Sequence, residues 1–145
     1  MRIVKLSKDL FGFDTNGACK AYLKDVLPWT GGNFHFAGNG NKIALDKFSE
    51  GENILFSHDG SIVAIVKGIK LLTEGDKCSG IEVDMDTMKI FKEGLSILAL
   101  EKSLEDSGHH VRIFATQGWN YLEGDCEKAV LEFLKNEDWR NWVAD

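Results

Sequence analysis

Hydrophobic and polar positions alternate most regularly in residues 48–72, where two apolar runs flank a short polar turn. The runs are residues 54–56 and 62–66, and Asp59 and Gly60 lie between them. Asp-Gly between β-branched runs is typical of a hairpin, because both residues tolerate the left-handed backbone of a tight turn. The pattern therefore predicts a central antiparallel hairpin around which the other elements pack.

The remaining periodicity predicts helices and short strands on either side of this hairpin. Thr15 and its neighbours supply helix N-cap chemistry, Pro28 disfavours helical geometry in the residue before it, and Gly108 suits a helix C-terminus. The predicted helices are residues 15–27, 97–107 and 121–134. The predicted strands are residues 2–6, 52–57, 61–72 (with a bulge at Gly68), 81–84, 88–91 and 111–115. We expect residues 73–80 to be a polar connection and residues 139–143 to be a capping turn.

Residues 29–42 combine four glycines and three asparagines with Trp29, Phe34 and Phe36. The glycines indicate a backbone with unusual conformations, but the aromatic side chains are too apolar for a plain solvated loop. This segment is either a loop folded onto the core or one side of a pocket.

This order of elements predicts an α/β (α+β) fold with a curved mixed sheet or small barrel flanked by helices. The length of 145 residues suits a single domain, residues 1–145. The apolar and charged fractions of 43% and 28% are those of an ordinary globular protein, and no apolar run is long enough to span a bilayer.

Charge and cysteine content narrow the candidate functions. The net charge of −6 argues against sequence-blind attachment to polyanions, although it leaves room for a local basic groove. Three widely spaced cysteines fit reduced thiols better than a disulfide framework, so we expect a cytoplasmic protein without membrane association. No motif for a metal, a cofactor or a catalytic nucleophile occurs, and we expect neither a cofactor nor a catalytic residue.

The segment 48–64, Phe-Ser-Glu-Gly-Glu-Asn-Ile-Leu-Phe-Ser-His-Asp-Gly-Ser-Ile-Val-Ala, resembles the core phrase of PUA-like domains, especially their EVE, YTH and ASCH relatives. The later order of strands and helices is similar to that of modified-base reader domains in modification-dependent restriction endonucleases. The resemblance covers roughly residues 29–135. Glu52 departs from it, because the family usually has Asp at this position.

This resemblance implies binding of nucleic acid. It implies a reader domain that holds a methylated or hydroxymethylated base within an aromatic pocket, with modified DNA as the favoured ligand and RNA as the alternative. Restriction systems fuse such readers to a nuclease, so a fused or associated nuclease is an expected partner. The oligomeric state is left open.

Two groups of residues are candidates for this binding. Trp29 opens the glycine-rich segment and is the leading stacking residue, with plugging of a barrel end as the alternative. Asn can pair with a base edge as both donor and acceptor. For the aromatic candidates the alternative role is packing in the core, and for the polar candidates at the hairpin tip it is formation of the turn. The full set for the base is Trp29, Asn33, Phe34, His35, Ser57, Asp59, Trp119 and Asn120. The set for phosphate is Lys42, Lys47, Lys67 and Lys70, with simple solvation as the alternative.

Two other functions remain open. One is a protein-interaction or small-ligand module on the same fold, which the acidic balance favours. The other is an ASCH-like hydrolase of modified nucleosides, which needs a carboxylate and a lysine in one pocket. Glu52 with Lys67 or Lys70 is the candidate pair.

Overall fold

The hairpin at Asp59 and Gly60 forms as the sequence predicts. Both turn residues have positive φ, 48° and 79°, as a tight two-residue turn requires. The computed structural model describes residues 1–6, 13–35, 48–75, 77–115, 119–136 and 142–144. Within these residues, the two hairpin strands lie at the middle of the sheet.

The described strands belong to a single mixed sheet. They are β1 (Arg2–Leu6), β2 (Asn33–His35), β3 (Asn53–His58), β4 (Ser61–Glu74), β5 (Lys77–Ser96), β6 (Trp119–Tyr121) and β7 (Trp142–Ala144). Their order is β2-β5-β4-β3-β1-β6, and β7 pairs with β5. The pairing of β1 with β3 is parallel and the other pairings are antiparallel.

Helical segments flank the sheet and place one apolar core on each of its faces. They are α1 (Asn16–Ala21), a π-helical turn (Tyr22–Val26), a 3-10 turn (Leu27–Thr30), α2 (Ile97–Asp106) and α3 (Gly124–Asn136). On β3, Ile54 and Phe56 join the core beneath the first helical segments, whereas Leu55 joins the core beneath α2 and α3. This alternation is the expected period of a strand buried on both faces.

The helix ends follow the local sequence signals. Thr15 is the N-cap of α1, and its side-chain oxygen accepts a hydrogen bond of 3.0 Å from the Ala18 N–H. Pro28 is the exception, because it does not end the first helical segment near residue 27 as predicted: Leu27 before it keeps helical φ and ψ of −56° and −38°, and the chain continues as a 3-10 turn to Thr30. Pro28 is accommodated because it lies in the first turn of that 3-10 segment, where no N–H is needed for a helical bond. Gly108, with φ of 88°, follows the end of α2 as predicted.

β5 differs from the sequence prediction. Residues 81–84 and 88–91 are parts of one 20-residue strand that also includes much of the predicted connection. The polar residues between them form a bulge within the strand, because Lys67 pairs with Asp84 while Ile65 pairs with Lys89. Another register shift follows Gly68, where a bulge is predicted.

Three further predictions are wrong. Residues 111–115 are not a strand; instead, the Ile113 N–H donates to the Glu101 carboxylate at 2.6 Å, and this bond substitutes for a strand ladder. The last long helix begins at Gly124 rather than at residue 121, because Tyr121 pairs with Arg2 in β6. The tail forms β7 in place of a capping turn at residues 142–144, while residues 139–141 lie outside the described residues.

The predicted fold class is confirmed. The sheet curls into a half-barrel and is flanked by three helices, which is an α+β curved-sheet architecture.

The close approach of β2 to β5 gives a test of this architecture. Gly31 and Gly32 both have positive φ, 70° and 85°, but only a Cβ at Gly32 would meet an atom, the Val83 carbonyl oxygen at 2.3 Å. We expect Gly31→Ala to lower the free energy of unfolding by about 1–2 kcal/mol from backbone strain. Gly32→Ala should lower the free energy of unfolding by about 1–3 kcal/mol more than Gly31→Ala does, because its Cβ would overlap the Val83 carbonyl oxygen. Urea unfolding measures both, and equal losses would contradict the observed packing.

Candidate functional site

A cleft of about 420 Å³ opens on the sheet where β3, β4 and β5 lie side by side. It is on the sheet face that carries α2 and α3, since Ile65 lines it and also packs against the core beneath those helices. Its lining residues are Asn53, Ile65, Val66, Lys67, Thr87 and Lys89.

Strand register brings the polar lining residues together. Asn53 pairs directly with Lys67, and Lys89 pairs with Ile65, two residues before Lys67 on the same strand. Side chains two residues apart on a strand share a face, so Lys67 and Lys89 are diagonal neighbours across two strands. Both lysines are exposed. Lys67 and Lys89 therefore lie beside the same opening.

The bulge in β5 fixes the rim of the cleft. The Thr87 hydroxyl donates to the Asp84 carbonyl oxygen at 2.7 Å and accepts from the Lys67 backbone N–H at 2.9 Å. The Asp84 carboxylate accepts from the Asp86 N–H at 3.1 Å. Thr87 is therefore committed to holding the bulge at the rim of the cleft.

The charge of the lining differs from that of the whole chain. Among the described residues, two lysines and no carboxylate line the cleft, although the chain has a net charge of −6. Lys70, another predicted phosphate contact, pairs with Glu82 at 3.7 Å and is not among the lining residues. The described lining of the cleft is thus basic, in contrast to the chain as a whole.

Trp29 lies in the 3-10 turn and is 89% exposed, the most exposed of the large apolar side chains in the described residues. Gly31 ends this turn in a left-handed conformation, and the next residue, Gly32, accepts a hydrogen bond of 2.9 Å from the Val83 N–H. A Cβ on Gly32 would also lie 3.5 Å from Met85, within the β5 bulge. The Trp29 turn is therefore braced against β5, but it belongs to the helical segments on the sheet face opposite to the cleft.

The other base candidates on β2 differ in their exposure. Phe34 is buried against Tyr22 and Phe56, with ring centroids 6.3 and 5.4 Å away. His35 is exposed. Asn33 is half-buried, and its Oδ1 is buried without a hydrogen-bond partner in the described part of the chain. Of these three, Asn33 and His35 have the access that a ligand needs.

The candidates on the hairpin and on β6 lie away from Trp29. Ser57 is buried, and Asp59 forms the hairpin turn. Asn120 donates to the Arg112 carbonyl oxygen at 3.1 Å. Trp119 is in β6, at the opposite end of the strand order from β2, and its side chain is outside the description. Strand pairing therefore does not bring these residues together with Trp29 in one pocket.

Two predicted phosphate contacts, Lys42 and Lys47, lie outside the described residues. Conversely, sequence reasoning missed Asn53, Thr87 and Lys89. Residues two apart on a strand share a face, so the sequence could have predicted that Thr87 and Lys89 lie on the same face of their strand. Their position opposite Lys67 depends on the bulge, which only the structure shows.

The polar residue His58, next to the turn, is fully buried. Its Nε2 donates to the Phe13 carbonyl oxygen at 2.6 Å, and its Nδ1 lies 2.6 Å from Asn16 Oδ1. These contacts tie the hairpin to the segment that begins α1. His58 is therefore part of the scaffold and has no access to a ligand.

The predicted hydrolase pair is not assembled through Glu52. The Glu52 carboxylate forms a buried ion pair with Arg2, and the rings of Phe48 and Tyr121 lie 5.3 and 4.9 Å from the Arg2 guanidinium carbon. Burial lowers the pKa of Arg2, although arginine stays protonated in proteins. Glu52 is thus occupied by a structural partner.

The cysteine thiols have the properties of core side chains. Burial raises the pKa of Cys19 to about 12, and burial also raises the pKa of Cys78 and of Cys126. A thiol is nucleophilic as its thiolate, so burial disfavours the reactive form of these groups. Within the described ranges, no cluster of three metal-binding side chains occurs, and no helix is long and apolar enough to cross a membrane.

Comparisons with known proteins show similarity of fold alone. No protein-family model and no curated protein matches the chain. Among solved structures, it is similar to the NMR structure of Rpa0253 from Rhodopseudomonas palustris, with a TM-score of 0.53 and 14% sequence identity over 90% of each chain. At this identity, any function has to be argued from the site itself.

The buried ion pair gives a second testable prediction. Glu52→Gln removes the counter-charge that Glu52 provides to the buried Arg2 guanidinium, and breaking a buried ion pair costs about 3–5 kcal/mol of unfolding free energy. The matched control is Glu82→Gln, which removes the carboxylate of the exposed Lys70 pair and should cost less than about 1 kcal/mol. Urea unfolding measures both variants. Similar losses would show that the Arg2 pair is not the stronger constraint.

Proposed function

We propose that the chain is a non-catalytic nucleic-acid-binding module, with phosphate held at the Lys67–Lys89 cleft and a base stacked on Trp29. The observation that carries this proposal is the lining of the cleft, whose described residues include two lysines and no carboxylate in an acidic chain. Ammonium groups that neutralise phosphates release counterions and supply much of the affinity for nucleic acid.

The exposed tryptophan supports a contact with a base. The indole ring of Trp29 is 89% exposed, so it contributes little hydrophobic stabilisation to the fold. Exposed aromatic rings of this kind stack with nucleobases. The bracing of the Trp29 turn against β5 reduces the ordering cost on binding, since the ring is presented from a fixed backbone.

Recognition of a modified base is the finer part of the proposal. It is supported by the resemblance of residues 48–64 to PUA-like readers and by the partly exposed Asn33 and His35 on the strand that follows Trp29. A methyl group on a stacked base adds apolar contact with the indole ring, which gives a physical basis for preference.

A protein-binding surface is the second candidate, favoured by a different observation. Val26 is 48% exposed and precedes Trp29 by three residues in the continuous helical segment, so the two side chains form a small apolar patch. A partner protein with an apolar contact residue would cover this patch, and the lysine cleft would then have no part in binding.

Titration of short single-stranded and duplex oligonucleotides tests the proposed function. Each is used unmodified and with 5-methylcytosine, 5-hydroxymethylcytosine or N6-methyladenine, at several salt concentrations. Trp29→Ala should weaken binding by about fivefold to 150-fold, the value of one stacked base. Lys67→Gln should reduce the salt slope by about one.

Matched controls remove equivalent groups on α2. The control for Trp29→Ala is Leu98→Ala, at a side chain that is 59% exposed. The control for Lys67→Gln is Lys102→Gln, at another exposed lysine. Neither control should change the affinity for oligonucleotides or its salt slope. Equal effects of Trp29→Ala and Leu98→Ala would contradict the stacking role. Failure of the folded wild type to bind any oligonucleotide would reject nucleic-acid binding and favour the protein-binding surface.

A further inference from the structure

We propose that His58 and Asn16 form a proton-responsive joint, in which proton uptake by the buried imidazole ring is coupled to rotation of the Asn16 amide. The joint is independent of nucleic-acid binding, because it involves neither the Lys67–Lys89 cleft nor the Trp29 ring.

The first argument is the chemical nature of the two groups that face the ring. The Phe13 carbonyl oxygen lies 2.6 Å from Nε2 of His58, and Oδ1 of Asn16 lies 2.6 Å from Nδ1. Both groups are hydrogen-bond acceptors, whereas a neutral imidazole has one donor nitrogen and one acceptor nitrogen. Two acceptors are satisfied together only by the imidazolium form, in which both nitrogens donate. The observed arrangement is therefore that of a protonated histidine.

The second argument is the length of the two contacts. Ordinary N–H···O hydrogen bonds span about 2.7–3.2 Å between the heavy atoms, and bonds from a charged donor lie at the short end of this range. Both contacts of His58 are shorter, at 2.6 Å. Short bonds on both sides of the ring are expected when the donor carries a positive charge.

The third argument is that no counter-charge contacts the ring in the described part of the chain. His58 is fully buried, and its hydrogen bonds go to an amide and to a backbone carbonyl next to the Phe13 ring. The charged residues of the neighbouring elements are exposed or half-buried, and they are Lys5, Asp14, Lys20, Asp59, Lys92 and Glu93. Burial of a charge without a partner charge is costly, so the same surroundings also favour loss of the proton.

Rotation of the Asn16 amide reconciles these opposing tendencies. A half-turn exchanges Oδ1 for the Nδ2 amino group, which donates to an unprotonated Nδ1 of His58. In the observed orientation, Nδ2 lies 3.6 Å from the position that a Cβ on Gly94 would occupy, so the glycine leaves this side of the amide open. Nε2 donates to the Phe13 carbonyl oxygen in both states. The ring therefore keeps two hydrogen bonds with or without the added proton, and histidine ordinarily changes its charge between about pH 5 and pH 8.

The joint fastens the first helical segments to the sheet. His58 is the last residue of β3, and Asn16 is the first residue of α1, directly after the N-cap Thr15. The helical segments that begin at Asn16 continue without interruption to Thr30. Proton uptake by His58 thus acts at the point where these segments are attached to the hairpin.

The test is an NMR titration of the ¹⁵N-labelled protein from about pH 8 to about pH 5. Long-range ¹⁵N–¹H correlation reports the proton on each ring nitrogen of His58, and the side-chain NH₂ signals of Asn16 report rotation of the amide. We expect both sets of signals to change with a common midpoint while circular dichroism shows that the protein stays folded. The NH₂ group of Asn120, which donates to the Arg112 carbonyl oxygen, is the internal control and should not follow this midpoint.

A charged replacement of the amide tests the direct contact. Asn16→Asp places a carboxylate against the ring and favours its protonated form, so the midpoint of the His58 signals should move to higher pH by about 1–3 units. Asn120→Asp makes the same change on β6 and should leave the midpoint where it is.

Three results would overturn the joint. A His58 ring that stays neutral until the protein unfolds excludes proton uptake in the folded state. Titration of the ring without any change in the Asn16 NH₂ signals excludes the coupled rotation. Equal shifts of the midpoint in Asn16→Asp and Asn120→Asp exclude a direct effect of residue 16 on the ring.

Discussion

The buried ion pair between Arg2 and Glu52 is the constraint on which the sheet depends. Arg2 is fully buried between the rings of Phe48 and Tyr121, and its guanidinium forms an ion pair with the Glu52 carboxylate in this environment. A shift in the register of β1 would separate the pair and leave a buried charge unmatched, at a cost of several kcal/mol. We infer that this pair selects the register of β1 against both β3 and β6.

The same pair is connected to the proposed site through the backbone. The Gly68 N–H donates to the Glu52 carbonyl oxygen at 2.8 Å, and the Gly51 N–H donates to the Gly68 carbonyl oxygen at 2.8 Å. These bonds fix the strand next to Lys67, while Thr87 holds the Lys67 backbone N–H from the other side. The cleft is therefore built on rigid elements, which is the condition for a preorganised site.

Features that depend on neighbouring residues could be predicted from the sequence, whereas features that depend on contacts between distant residues could not. The hairpin turn at Asp59 and Gly60 and the Thr15 cap depend on neighbouring residues, and both follow from the sequence. The single long β5 does not, because Thr87 stabilises the bulge through contacts with a strand twenty residues away. Likewise, Lys67 could be proposed from the sequence, but Lys89 becomes its neighbour only through that bulge. Nothing local marks Arg2 as buried.

The most direct test of the central claim is an NMR titration of the ¹⁵N-labelled protein with a single-stranded oligonucleotide. It reports the location of binding without any substitution. The account predicts that the largest shifts fall on the amides of Asn53, Lys67 and Lys89 and on the Trp29 indole N–H. Shifts concentrated on α2 and α3, or no shifts at all, would contradict it.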